Sequence, residues 1–194
     1  MKEKYDVPIA PQSEFVSYMM EQMSHFGLPC TEEQAKDFYL YYVHMIETNK
    51  YLNLTGITDM KEVVVKHMID SLSCYDPEII KSGMSIIDVG TGAGFPGIPL
   101  AIYDRSLKVT LFDSLKKRLT FLESVIDELK LTNCTILHGR AEDLSHQDYR
   151  ESFDIATSRG TLADSFRMDC AICKRRWLRR CFKRRYLRRR SERI

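Results

Sequence analysis

Hydrophobic positions recur at helical spacing through the first third of the chain. Phe15/Val16, Met19/Met20, Met23 and Phe26 predict an amphipathic helix over 13–27, with Ser13 as its N-cap and Gly27 as its stop. Thr31 followed three positions later by Gln34 is a capping box, which opens a second helix with Ala35, Phe38, Tyr41/Tyr42 and Met45 on its apolar face. Beyond the loop NKYLNLTGIT (49–58), Val64/Val65, Met68/Ile69 and Leu72 predict a third helix. These stripes predict an N-terminal helical region over 1–82.

From Gly83 the period shortens. SIIDV (85–89), KVTLFD (108–113), TILHG (135–139) and FDIATSR (153–159) predict strands. Between the second and third, Leu115, Leu119, Leu122, Ile126 and Leu129 step by four and three, the spacing of a helix. Strands alternating with helices predict an α/β domain with a parallel sheet over 83–159, and such sheets bind ligands at the carboxyl ends of their strands. After Arg159 the pattern ends: residues 160–194 offer no strand pattern and no turn chemistry.

Composition narrows the class. With 194 residues, 44% hydrophobic and 29% charged, and only 9 Gly and 6 Pro, the chain suits one globular domain with a small appendage, not a disordered or fibrous protein. The segment MKEKYDVPIAPQSEF lacks the apolar run of a signal peptide, and no uninterrupted apolar stretch reaches the ~18 residues that a membrane span needs. Six cysteines without a secretory signal are expected to be free thiols in a reducing compartment. The expectation is a cytoplasmic protein with no membrane partner.

The net charge of +2 hides a division. Residues 171–194 carry 12 Lys/Arg against one acid, Glu192, whereas residues 1–170 hold 17 basic and 26 acidic side chains. The body is acidic and the last stretch is polycationic.

The chemistry concentrates in Asp88-Val-Gly90-Thr-Gly92-Ala-Gly94-Phe-Pro-Gly97, which leaves one predicted strand and opens a helix. Glycines there allow tight turning and close approach of a ligand, and a following helix N-terminus favours polar or anionic groups. Asp113 closes the next strand, where a carboxylate can accept hydrogen bonds from ribose hydroxyls. Gly92-Ala-Gly94-Phe-Pro-Gly97 also satisfies the dinucleotide pattern G-x-G-x-x-G, so a nicotinamide- or flavin-dependent oxidoreductase is a rival reading. The wider string D-V-G-T-G-A-G matches better the acidic-x-G-x-G-x-G loop of S-adenosylmethionine enzymes, and the long helical stretch ahead of the loop is unusual for an oxidoreductase.

Taken together, NKYLNLTGIT, VVKHMIDSL, IIDVGTGAGFPGIPLAI, VTLFDSLKKRLTFLE, GRAEDL and FDIATSR resemble, in order, the small-subunit ribosomal RNA methyltransferase G family, also called glucose-inhibited division protein B. The likeness covers roughly residues 32–159. It implies a class I S-adenosylmethionine-dependent methyltransferase fold, Rossmann-like, with an N-terminal helical region. It also implies methyl transfer to N7 of a guanine in bacterial 16S rRNA, in the small-subunit decoding-region hairpin. The implied cofactor is S-adenosyl-L-methionine, and the partner is 16S rRNA or the small ribosomal subunit, met by a monomer. On the resemblance, Gly90 and Phe95 contact the cofactor within the loop that also holds Gly92 and Gly94, Ala141 and Glu142 border its adenine, and Arg159 lies at the cofactor/substrate position. Guanine N7 has an available lone pair and the methyl donor is already a sulfonium. Positioning therefore suffices, and no catalytic triad or metal is expected.

Other candidates carry less. His67 on the third helix reads as structural or exposed, with an RNA-facing role, suggested by its place in a family-like block, as the lesser alternative. Lys116, Lys117 and Arg118 beside Asp113, and Lys50, Lys61 and Lys66, are candidates for RNA phosphates or simply a solvated face. Cys170 and Cys173 form a single C-x-x-C, too few ligands for zinc. The Arg-rich tail suggests a non-enzymatic nucleic-acid-binding protein as an alternative reading. A shifted reading frame near codon 160, or truncation, explains the same tail, and predicts an incomplete sheet and a weakly active chain.

Overall fold

The computed structural model describes residues 7–140, 149 and 152–159. The tail over 160–194, with Cys170, Cys173 and the predicted break in the family pattern, lies outside the described residues, as do Ala141 and Glu142. Helix α1 (Gln12–His25) starts one position earlier than Ser13. Pro11 stands at the N-cap with φ −57° and its carbonyl receives the Phe15 N–H, so a ring that already fixes φ starts the helix and Ser13 falls inside the first turn. Helix α2 (Glu32–Asn49) opens on the expected capping box, with Thr31 and Gln34 satisfying each other's backbone N–H groups.

The third predicted helix is not uniformly α. Helix α3 (Met60–Val63) widens into a π-helical turn over Val64–Ile69 and closes as α4 (Asp70–Leu72). A period of 3.6 cannot foresee such a turn, and π turns recur at functional sites. Here the turn contains His67, which is buried together with Val63, Val64, Met68 and Ile69.

Strands β1 (Ser85–Val89), β2 (Lys108–Asp113), β3 (Cys134–His138) and β4 (Ile155–Thr157) form one sheet in the order β3-β2-β1-β4. All neighbours are parallel, with Asp88 opposite Leu111 and Thr157, and Asp113 opposite His138. Helices α5 (Gly97–Tyr103) and α6 (Lys116–Glu128) make the connections from β1 to β2 and from β2 to β3. The parallel α/β expectation holds. Because β2 and β3 step away from β1 on one side and β4 lies on the other, the order reverses beside β1. That reversal opens a crevice at the carboxyl ends of β1 and β4.

One continuous apolar cluster runs from Phe15, Phe38 and Tyr42 through Met68 and Leu72 to Ile86, Leu111 and Leu122. The helical region and the sheet, distinct in texture along the chain, therefore share a core. Ile87, Val89, Phe112, Phe153 and Ala156 form a smaller cluster on the opposite face of the sheet. No described helix is long and apolar enough to cross a membrane. Among the described cysteines, Cys30, Cys74 and Cys134 are not in disulfides.

Candidate active site

The loop after β1 is held open by backbone chemistry. Gly90, Gly92 and Gly94 have φ of +69°, +62° and +102°, a region that side-chain-bearing residues enter only with strain. The Gly90 and Thr91 N–H groups both donate to the Phe112 carbonyl at the end of β2, at 2.8 and 3.0 Å. At Gly94 a Cβ would stand 2.7 Å from Ile98 Cγ1, and at Gly97 it would stand 2.3 Å from Leu111 Cδ2, so these two glycines are required by packing. Nothing lies within 4 Å of a Cβ built on Gly90, which is exposed at the mouth of the crevice.

Two carboxylates clamp this loop. Asp88, fully buried, accepts from Thr91 Oγ1 (2.6 Å) and the Gly97 N–H (2.9 Å) on Oδ2, and from Thr157 Oγ1 (3.3 Å) on Oδ1. Burial raises its carboxyl to about 6, although those hydrogen bonds and the charge of Arg159 favour the ionised form. Asp113 accepts the Gly92 N–H on Oδ2 and the Leu115 N–H on Oδ1, both at 2.9 Å. Its role here is to fix the loop. Each oxygen retains a further lone pair.

The N-terminal helices complete the wall. Tyr41 of α2 is fully buried and its hydroxyl donates to the Ala93 carbonyl at 2.5 Å. Phe95 is enclosed between the rings of Tyr41 (5.4 Å) and His67 (4.6 Å, stacked), with the Arg159 guanidinium 4.9 Å from its centroid. Sequence reasoning gave His67 a structural or exposed role. It is buried, and it touches two of the predicted site residues. Its position in the same block as Asp70, three residues on, was the available signal.

Arg159, just past β4, lies against His67 Nδ1 through Nη2 and faces Asp70 Oδ2 through Nη1 at 3.7 Å. Both of those facing atoms, Asp70 Oδ2 and Arg159 Nη1, are buried without a hydrogen-bond partner among the described residues. Burial drives the Asp70 carboxyl up to about 7 against the attraction of Arg159. Burial, reinforced by Arg159, pushes His67 down to about 4. Thus Gly90, Gly92, Gly94, Phe95, Asp113 and Arg159 converge on one crevice.

The lysine candidates are mostly engaged at the surface. Lys50 and Lys66 pair with Glu47 and Glu62 along their own helices, and Lys61 lies over the Tyr18 ring at 5.7 Å. Arg118 turns toward Asp113 at 3.6 Å. Among the described residues no group of three or more His, Cys, Asp or Glu side chains is placed to hold a metal ion.

Comparison with known proteins agrees with the geometry. The family model for rRNA small subunit methyltransferase G matches residues 34–172, beginning in α2 and continuing past Arg159. Curated relatives carry the name ribosomal RNA small subunit methyltransferase G. That of Leuconostoc mesenteroides is 45% identical over 149 residues, covering 75% of this chain and 62% of the relative. The Lachnoclostridium phytofermentans protein is 46% identical over 144 residues, 74% of this chain and 60% of the relative. The Dictyoglomus thermophilum protein is 41% identical over 162 residues, 83% and 68% respectively. The chain spans about three fifths of the length of the first two of these relatives. Neither the oxidoreductase nor the non-enzymatic binder is favoured by these matches. A glycine loop pinned by Asp88 and Asp113, set in a chain matched over most of its length, leaves one assignment: this protein belongs to the rRNA small subunit methyltransferase G family.

Proposed function

We propose that this protein binds S-adenosyl-L-methionine across the carboxyl ends of its sheet and takes part in methylating N7 of a guanine in 16S rRNA. The observation that carries the reading is the pinned loop 90–97, whose open position at Gly90 leaves room where a Cβ would otherwise intrude. Gly90, Gly92, Gly94 and Phe95 would line the amino-acid end of the cofactor, and Asp113 would meet its ribose. Ala141 and Glu142, which follow β3, would border its adenine. The cofactor supplies a methyl group on an electrophilic sulfonium.

Reading the strands from β3 through β2 and β1 then runs along the cofactor from adenine to methionine. The crevice beside β4, where Arg159 and Asp70 stand, is left for the methyl acceptor. The chain's own contribution is alignment and exclusion of water, with no general base required at N7. The proposed partner is 16S rRNA or the small ribosomal subunit, approached by a monomer in the cytoplasm.

Calorimetry with S-adenosylhomocysteine tests the cofactor half, and saturable one-to-one binding is expected. Transfer of labelled methyl to 16S rRNA, mapped to the base, tests the other half. Label at a different atom or base, or no binding of the nucleoside, would overturn the reading.

A further inference from the structure

Arg159 is anchored by groups from separate parts of the chain, and the protons in that anchorage can be placed. A guanidinium only donates, so the His67 Nδ1 that meets Arg159 Nη2 presents a lone pair. The proton of the neutral imidazole therefore sits on Nε2, which donates to Thr55 Oγ1 at 2.8 Å. Thr55 Oγ1 also accepts the Ile57 N–H at 3.0 Å.

Thr55 is itself fixed from the end of α2. Asn49, 1% exposed, accepts the Leu54 and Thr55 N–H groups on Oδ1 (2.7 and 3.0 Å) and donates from Nδ2 to the Thr55 carbonyl at 3.0 Å. A continuous relay, Asn49 to Thr55 to His67 to Arg159, thus joins the loop after α2 to the end of β4. The charged groups around His67 are Arg159 from β4, Asp70 from its own helix, and Lys66, which is drawn to Glu62 on the outer side. Asp88 and Tyr41 also act electrostatically on Arg159.

We infer that His67 is a positioning residue: a neutral imidazole, protonated on Nε2, that holds the Arg159 guanidinium over Phe95 and leaves Nη1 available to an acceptor atom of the ligand. Nη1 is the buried donor without a hydrogen-bond partner among the described residues, and it stands in a loose ion pair, at 3.7 Å, with an Asp70 oxygen that likewise has none. A histidine serving only to fill the core would need the stack on Phe95 and nothing at Nδ1. The consequence for catalysis rests on the proposed function. The proton arrangement does not.

Both parts are tested on the full chain. Long-range proton–nitrogen spectra of the imidazoles, assigned through the loss of one signal set in His67→Asn, are expected to show His67 in the Nε2–H form. Arg159→Gln is expected to move its titration midpoint up toward the ordinary histidine range. An Nδ1–H tautomer, or a midpoint indifferent to Arg159→Gln, overturns the assignment.

Turnover at saturating cofactor and rRNA supplies the second readout. His67→Phe keeps the stack, and His67→Gln sets its amide nearer the Nε2 position. Each is expected to lower turnover roughly 10- to 100-fold. Their affinity for S-adenosylhomocysteine should stay within about threefold. His67→Asn, whose amide oxygen can take the place of Nδ1, should recover most of the loss. Undiminished turnover in His67→Phe, or equal loss in all three variants, overturns the positioning role. Absence of transfer by the unsubstituted chain counts against the proposed function, while the imidazole spectra still decide the proton arrangement.

Discussion

Asp88 and Asp70 are carboxylates at the rim of the same crevice, the first fully buried and the second partly so, yet they are treated oppositely. Asp88 receives hydrogen bonds from Thr91, Gly97 and Thr157 and is fully buried. Among the described residues Asp70 has an oxygen without a hydrogen-bond partner, 3.7 Å from a guanidinium nitrogen that also has none. Burial raises both carboxyls, Asp88 to about 6 and Asp70 to about 7, against the attraction of Arg159. Hydrogen bonds to the ionised form offset desolvation at Asp88, whereas at Asp70 only the charge of Arg159 does so among the described residues. The β1 end of the site is thus closed by its own hydrogen bonds, and the β4 end keeps polar capacity in reserve among the described residues.

If that contrast is right, damage at the two ends should be felt differently. The largest effect on folding is expected from Asp88→Ala, which leaves the Thr91 hydroxyl and the Gly97 N–H without their acceptor in the interior. It should remove roughly 3–4 kcal/mol, read from the urea midpoint at constant slope. A loss below about 1 kcal/mol would show that the Phe112 and Asp113 contacts hold the loop unaided.

His67 comes next. Its folded value of about 4 lies below the ordinary 6.5, so between those limits the unfolded chain binds more protons. Its contribution is complete above about 6.5 and is lost as pH falls through about 4, for a total of roughly 3 kcal/mol. Asp70 and Asp88 act with the opposite sign. Their raised values mean that the folded state keeps protons which the unfolded chain releases, so both weaken stability as pH rises from near 4 toward 6 or 7. Subtracting the stability curve of His67→Asn from that of the parent isolates the histidine, and a flat difference would contradict the burial argument.

Tyr41→Phe should destabilise by about 1 kcal/mol, since it deletes one buried hydrogen bond to the Ala93 carbonyl but keeps the ring. Thermal unfolding resolves a change of that size. Asp70→Asn is expected to be the gentlest on folding, within about 1 kcal/mol at pH 8, because the ionised carboxylate there gains little from its loose pair. A larger loss of stability would mean that the pair is a structural strut and that the two ends of the crevice do not differ in kind.

Much of this was written in local sequence. The Thr31–Gln34 cap, the strand of buried residues before Asp88, and the three positive-φ glycines each follow from short-range rules, and each appears where the spacing predicts. The start of α1 was misplaced because Pro11 and Ser13 are both acceptable openers and only the traced backbone chooses. The π turn escaped because one extra residue in a turn barely disturbs an apolar stripe. Asp88 stood in the motif as an acid of unassigned purpose, and its role as loop clamp needed the partners brought to it from α5 and β4.

By itself the sequence determined the alternation of elements, the glycine loop and the family to which the chain belongs, since these depend on residues close together along the chain. Tertiary structure decided which strand stands beside β1, and with it the meeting of Arg159 with His67, 92 positions away, over the face of Phe95. No periodicity encodes that encounter. It arises because packing a shared core brings the helical region and the end of β4 to one crevice, where burial raises the Asp70 carboxyl and lowers the His67 imidazole.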